Sequence, residues 1–262
     1  MTRLLVIVAV VGAVLSAVSF GVAVSLAGGP LALADMSIRW TDDDGWERGW
    51  DHRHERRHGR GGVDGSGPET VRELAWTGGS ELEVSVPADV RYVQGPDAKI
   101  VVRGPKGSVD NLRLDGDELE FDRSTFNAGR LQVTVTAPAI NRFSLLGDQS
   151  LTLDNYRQDQ LAIEIAGSGR ASAKGGAKEV SLEISGSGDA DLGGLQSERA
   201  RVDISGSGGA VIAPTASAEI DIAGSGEVRL LTRPASVSTD IAGSGKVIQA
   251  GEGAAAKAGE RI

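Results

Sequence analysis

The residues of this chain whose types and spacing could support chemistry lie in a short motif that occurs five times. Each copy reads acid-Ile-small-Gly-Ser-Gly, as in EISGSG from Glu183 to Gly188. The acids form a candidate site, because closely spaced carboxylates attract cations or a basic partner. The alternative, which we favour, is a solvated face that keeps a sheet soluble. This acid stripe consists of Glu164, Glu183, Asp203, Asp221 and Asp240.

The Gly-Ser-Gly part of the motif could hold a ligand or could simply turn the chain. A phosphate-binding glycine loop is followed by a helix and usually carries a lysine, and neither feature is present. A calcium-binding roll repeats at about nine residues with a fixed aspartate, whereas here Arg, Asp, Gly, Glu or Lys follows. We therefore predict chain corners in which at least one glycine has positive φ. The corner glycines are Gly167, Gly169, Gly186, Gly188, Gly206, Gly208, Gly224, Gly226, Gly243 and Gly245.

Two other groups of polar residues are weaker candidates. The serines inside the corners form a predicted ladder whose hydroxyls bond to turn backbone, with a ligand surface as the alternative. His52, His54 and His58 lie in a charged tract that either binds Zn²⁺ or Cu²⁺ weakly or is a solvated tether. We favour the tether, because an unstructured tract has no neighbouring groups that fix the imidazole rings. The basic cluster 53–60 could also contact anionic lipid.

Catalysis is disfavoured by the residues that the repeats lack. The chain has no cysteine, no histidine after His58 and no aromatic residue after Tyr156. The repeated acids form one straight ladder, not the facing pair that divides acid and base roles in glycoside hydrolysis. No Ser-His-Asp set can form within the repeats. We predict no catalytic residues, no bound cofactor and no metal, and the net charge of −9 argues against nucleic-acid binding.

The two ends of the chain differ in composition from the repeats. Residues 1–34 are predicted to be a secretory signal peptide or an uncleaved N-terminal membrane anchor, because one arginine precedes a long apolar run. This run, residues 4–27, is long enough to tether the protein to the inner membrane. Residues 35–69 are predicted to be a disordered charged His/Arg/Gly linker, and residues 251–262 a disordered tail. Both interpretations of the leader export the remainder to the periplasm or cell envelope.

The elements that must position the motif residues are β-strands. Apolar and polar residues alternate in short runs between residues 70 and 160, separated by Gly-Pro and Asp-Gly turns. The motif isoleucines are 19, 20, 18 and 19 residues apart. Without a helical period, this spacing fits one small β-helix coil, in which equivalent side chains stack at roughly 4.8 Å. We predict an all-β protein with short N-terminal strands and a parallel β-helix or β-solenoid, together spanning residues 70–250.

The stretch EISGSGDADL, preceded by strands such as ELEVSV and KIVVRG, resembles the head GIN domain family of auto-transporter adhesin heads. The resemblance covers about residues 70–250 and rests on five Gly-Ser-Gly copies in register. It implies a right-handed β-helix exported to the cell envelope, and it provides no catalytic residues to carry over. The chain departs from the pattern at Leu146-Gly147-Asp148-Gln149, where such domains often have a further Gly-Ser-Gly coil.

These observations predict an exported, non-catalytic β-solenoid that serves as an adhesion, interaction or scaffold module. Its partner would be an envelope or extracellular protein or a glycan, contacted along the repeated rows. Exposed coil ends also favour a homo-oligomer. Two alternatives are a carbohydrate-active β-helix enzyme acting on envelope or extracellular polysaccharide, and a purely structural periplasmic module tethered to the inner membrane.

Overall fold

The computed structural model describes residues 62–250, and this part of the chain is almost entirely β-structure. The predicted leader 1–34, the C-terminal tail 251–262 and the linker up to residue 61 lie outside the described residues, as does the histidine tract. The described residues 62–250 contain no helical segment with the length and hydrophobicity of a membrane span.

The first eight strands and one short helix precede the repeats. They are β1 (Val63–Asp64), β2 (Glu69–Leu74), β3 (Glu81–Val84), β4 (Ala88–Gln94), β5 (Lys99–Pro105), α1 (Lys106–Asp110), β6 (Leu112–Asp115), β7 (Glu118–Phe121) and β8 (Thr125–Phe126). The remaining strands are β9 (Leu131–Ala137), β10 (Arg142–Gly147), β11 (Ser150–Gly167), β12 (Arg170–Gly186), β13 (Asp189–Gly206), β14 (Gly209–Ile212), β15 (Pro214–Gly224), β16 (Glu227–Leu230), β17 (Ser236–Gly243) and β18 (Lys246–Gln249).

The strands of the repeats form a solenoid with two faces. Face A contains the segments that follow each corner, and face B contains the segments that precede it. The long strands β11, β12 and β13 bend and contribute to both faces, since the first half of β11 pairs with β4 and its second half with β10. These pairs are parallel and in register, so that Ile184 pairs with Ile165 of the previous coil and Ile204 of the next. The predicted all-β solenoid is confirmed.

The core lies between the two faces and is built from columns of aliphatic side chains. Face B contributes the column through Leu182 and the column through Ile184, whereas face A contributes those through Ala171 and Ala173. Because in-register pairing places equivalent positions directly above one another, the next coil continues each column with another buried aliphatic residue. Because side chains alternate between the two sides of each strand, every second residue points into the core and the residues between them face outward.

Aromatic side chains fill the core only where the solenoid begins. Tyr92 packs edge-on against Phe143 at a ring-centroid distance of 5.5 Å, and Tyr156 lies 6.2 Å from Tyr92. The Tyr156 hydroxyl lies 2.8 Å from the carbonyl oxygen of Gln160, so that its polar atom is satisfied. Burial, followed by the neighbouring Tyr92, raises the pKa of Tyr156.

Antiparallel strands close the N-terminal end of the solenoid. On face A, β9 pairs in parallel with β4, and β5 and β2 then continue the sheet in antiparallel order. On face B, β7 pairs with β3 and forms a hairpin with β6, whose two-residue loop is Gly116-Asp117. The change from parallel to antiparallel pairing means that this end does not offer the surface that a further coil would need.

The ordered domain begins before residue 70, so the predicted linker boundary requires correction. Val63 and Asp64 pair in parallel with β8. The following Gly-Ser segment packs against the start of α1, where the Ser108 hydroxyl donates a 2.9 Å hydrogen bond to the carbonyl oxygen of Gly65. Composition alone suggested a linker, because Gly and Ser are common in both linkers and tightly packed backbone.

Candidate interaction surfaces of the stacked coils

The acid stripe lies in one outward column of face B. The pairing registers place Glu164 beside Glu183, and the column continues through Asp203, Asp221 and Asp240. Towards the N-terminus, Ser144 separates the stripe from Glu83. The structure therefore brings all five predicted residues together.

One arginine, which the sequence analysis did not single out, divides the stripe. The Arg201 Nε atom lies 3.0 Å from Asp203 Oδ2, and its Nη2 atom lies 3.0 Å from Asp221 Oδ2. Arg201 also contacts Glu219 in its own outward column. The sequence signal was the spacing Arg201-x-Asp203, because alternate residues of a strand share a face. Arg201 neutralises the middle of the stripe, so the five acids are not an uninterrupted anionic row.

Glu183 is repelled by the neighbouring carboxylates of the stripe. Burial, followed by the charges of Glu164 and Asp203, raises the pKa of Glu183. Burial also raises the pKa of Glu83, with Glu118 as the largest charged contributor. Within residues 62–250, no group of His, Cys, Asp and Glu side chains is arranged to hold a metal ion.

We expect Glu183→Gln to stabilise the protein at neutral pH by about 0.5 kcal/mol, the scale of one cross-strand pair on an exposed face. A folded-state pKa above the unfolded value means that Glu183 favours folding at low pH and that this contribution is lost as the pH rises. The gain from Glu183→Gln should therefore shrink as the pH falls through the raised folded-state pKa of Glu183, and it should also shrink in high salt. Urea unfolding at several pH values measures the effect.

The matched variant is Glu179→Gln, on the same strand. The Arg199 Nη2 atom lies 2.5 Å from Glu179 Oε1, and this hydrogen bond, with a second from Gln160, lowers the pKa of Glu179. Glu179→Gln should lower stability at neutral pH, and the difference should fade as the pH drops through the folded-state pKa. Equal signs for the two variants would contradict this electrostatic description of face B.

The two glycines of each corner are constrained for different reasons. The first has positive φ in each copy, for example +129° at Gly186 and +132° at Gly206. A Cβ on Gly206 would lie 2.2 Å from the carbonyl oxygen of Gly186 in the previous corner. The second glycine faces the core, and a Cβ on Gly188 would lie 2.6 Å from Ile165 Cγ2. Both positions let successive corners stack in close contact.

The corner serines link the coils through their backbone. The N–H of Ser187 donates to the carbonyl oxygen of Gly167 at 2.8 Å, and Ser207 donates to Gly186 at 2.9 Å. Their hydroxyls are exposed, and none of the hydrogen bonds among residues 62–250 involves them. The predicted bond from serine hydroxyl to turn backbone is therefore wrong, and the serines form a solvent-facing hydroxyl ladder.

The degenerate corner at Gly147-Asp148-Gln149 keeps the coil geometry with a different chemistry. Gly147 has φ of +143° and pairs in register with Gly167. The buried Gln149 side chain takes the place of the second glycine, and its Nε2 donates 3.1 Å hydrogen bonds to the carbonyl oxygens of Val86 and Leu146. Gln149 thus joins this corner to the glycine-free corner between β3 and β4.

A polar groove of 1300 Å³ runs along the side of the solenoid opposite the Gly-Ser-Gly corners. Here the chain passes from face A to face B, and the bends of successive coils lie side by side. We call it the side groove. It is lined by residues of the ranges 157–160, 176–178 and 193–198, together with Asn141, Ala213, Thr215 and Thr232. The sequence analysis missed it, because the bends share no motif and differ in length.

The comparisons with known proteins agree with this architecture. The family described as "Putative auto-transporter adhesin, head GIN domain" matches residues 80–253, more than half of the chain. The chain belongs to the head GIN domain family. No curated protein matches the sequence closely enough to count as a relative.

Solved structures resemble this chain at low sequence identity. A "putative adhesin" from Bacteroides fragilis is 18% identical, with a TM-score of 0.60 over 72% of this chain and 100% of that chain. A "putative lipid binding protein" from Parabacteroides distasonis is also 18% identical, with a TM-score of 0.49 over 71% of this chain and 98% of that chain. At such identity the first likeness shows the fold alone.

Proposed function

We propose that this head GIN protein is an exported, non-catalytic interaction module of the bacterial cell envelope. One observation carries the proposal: equivalent outward side chains of successive coils lie in register, so the acid stripe repeats a carboxylate at roughly 4.8 Å along the axis. A repetitive partner can contact several coils at once, and weak contacts add through multivalency.

The chemistry of the outward columns supports binding in preference to catalysis. The five acids of the stripe lie in one column of face B, and Arg201 pairs with two of them. The sequence contains no histidine after His58 that could transfer protons near neutral pH. The alternative of a carbohydrate-active enzyme would require a facing acid and base, and the acid stripe does not provide that geometry.

The proposal also covers the cellular location of the protein and its association with a second copy. The leader 1–34 would export the chain, and residues 4–27 would tether it if the leader is retained. The C-terminal coil offers a contact for a second copy, because among the described strands β17 pairs only with β15 and β18 only with β16. Val237 and Ile241 at this end are 41% and 39% exposed, and a free sheet edge readily pairs with another.

The test uses the full-length chain in mild detergent, applied to a glycan array and to crosslinked envelope extract. We expect saturable binding to a repetitive envelope or extracellular component and no shortening of any polysaccharide on prolonged incubation. The double variant Glu164→Lys with Glu183→Lys probes the acid stripe, and Lys106→Ala on α1, outside the repeats, serves as a surface control. Release of shortened glycans would establish the enzyme alternative instead, and the absence of saturable binding to any component would refute the proposal.

A further inference from the structure

The side groove has the dimensions of a site for an extended ligand. Its volume of 1300 Å³ exceeds the range of roughly 300–1,000 Å³ that holds one small molecule. Its lining comes from consecutive coils, from Gln160 through Gly176 and Gln196 to Thr215 and Thr232. Because coils stack along the axis, a ligand in the groove would lie parallel to the solenoid axis.

Glycines form part of the groove lining. A Cβ added at Gly176 would have no neighbour closer than the carbonyl oxygen of Gln196 at 3.8 Å, so the space above Gly176 is open. The preceding Gly175 has φ of +131°, and a Cβ there would lie 2.1 Å from the carbonyl oxygen of Tyr156. The bend is thus held by Gly175, whereas Gly176 leaves room that a side chain could fill.

The hydrogen-bonding groups of the groove already use several of their donors. Gln158 Nε2 donates to the carbonyl oxygen of Pro138 at 3.1 Å, and Gln160 Nε2 donates to Glu179 Oε2 at 3.1 Å. The hydroxyl of Thr215 donates to Ser197, and that of Thr232 donates to Pro214. The amide oxygens and hydroxyl lone pairs keep their accepting capacity. A complementary ligand can therefore donate several hydrogen bonds to these oxygens.

The charges of the groove are balanced. Asp159 and Glu198 line it together with Arg157 and Lys178. The Lys178 Nζ atom lies 3.0 Å from Asp159 Oδ1, and Glu198 faces Arg199 at 3.8 Å. A groove without excess charge of one sign does not favour a strongly anionic or cationic ligand.

We propose that the side groove binds an uncharged, polyhydroxylated chain, a neutral glycan strand that lies along the solenoid axis. Sugar hydroxyls donate hydrogen bonds to the free amide and hydroxyl oxygens, and the strand runs across the bends of several coils. This inference rests on the proposed interaction function and specifies its ligand class and its surface.

The test measures binding of neutral glucose, mannose and galactose hexasaccharides to the full-length chain by isothermal titration, beside uronic acid hexamers. We expect saturable binding of a neutral hexasaccharide that is at least tenfold tighter than that of any uronic acid hexamer. Gly176→Leu fills the groove and should weaken this binding at least tenfold, whereas Ser168→Leu on the opposite corner should leave it unchanged. The urea midpoints of both variants report whether the fold is retained. Gln196→Ala is a second test of whether the groove residues contribute to binding.

Each of the other outcomes refutes one stated part of the proposal. Neutral binding that Gly176→Leu and Gln196→Ala both leave intact places the site elsewhere and refutes the groove. Preference for uronic acid hexamers refutes the uncharged ligand class. Capture of an envelope protein without binding of any hexasaccharide refutes the glycan inference but leaves the interaction module in place. Loss of all saturable binding, to extract and sugars alike, refutes the interaction module as well.

Discussion

Gly206→Ala is expected to lower the free energy of unfolding by about 2–6 kcal/mol. The backbone at Gly206 has φ of +132°, a region that costs other residues on the order of 1–3 kcal/mol. The new Cβ would lie 2.2 Å from the carbonyl oxygen of Gly186, and relieving such overpacking costs roughly another 1–3 kcal/mol. Since that carbonyl accepts the hydrogen bond from Ser207, separating the corners also weakens the coil-to-coil bond. Urea unfolding followed by circular dichroism measures the change.

Gly116→Ala is the control at a glycine of positive φ whose surroundings are open. Gly116 has φ of +63°, and a Cβ there would meet nothing within 4 Å. We expect a cost of about 1 kcal/mol, since only the strain of the left-handed conformation remains. Equal losses for the two variants would show that close stacking of the corners contributes little. A negligible loss at Gly206 would contradict the corner geometry itself.

The architecture could be predicted from the sequence because a solenoid repeats a local pattern. Ile184 and Ile204 occupy equivalent positions, and period-2 alternation around them marks which row is buried. The corners could also be predicted from the sequence, since glycine at a fixed place in each repeat indicates a backbone conformation that other residues rarely adopt. The start of the domain was harder to predict from the sequence, because the Gly-Ser segment after Val63 packs through backbone atoms and has no hydrophobic pattern.

The candidate surfaces were only partly predictable. The acid stripe follows from the repeat, but the pairing of Arg201 with Asp203 and Asp221 depends on which outward columns lie next to each other. The side groove arises from bends that differ in length and sequence, and only the folded chain brings Gln160, Gln196 and Thr215 to one surface. The repeated pattern allows the scaffold to be predicted from the sequence. The surfaces that could give binding specificity lie where the repeats differ, and the sequence does not predict them.

The difference between a central and a terminal coil leads to the second large effect. Ile184→Ala is expected to cost about 3–4 kcal/mol, within the range for truncating a buried isoleucine. Ile184 is fully buried and lies between Ile165 and Ile204 in the column. Removing its side chain leaves a cavity that the neighbouring coils cannot close, since their backbones are fixed by the parallel ladder. The free energy of unfolding in urea again measures the loss.

Ile241→Ala is the control in the same column. Ile241 pairs in register with Ile222 but is 39% exposed in the described residues, so its removal should cost less than about 1.5 kcal/mol. If both variants lose the same stability, the terminal coil must be covered in the intact protein. A loss that grows with protein concentration would then assign the cover to a second copy, because association stabilises by mass action. A loss of stability that is independent of protein concentration would show that a segment of the same chain covers the terminal coil.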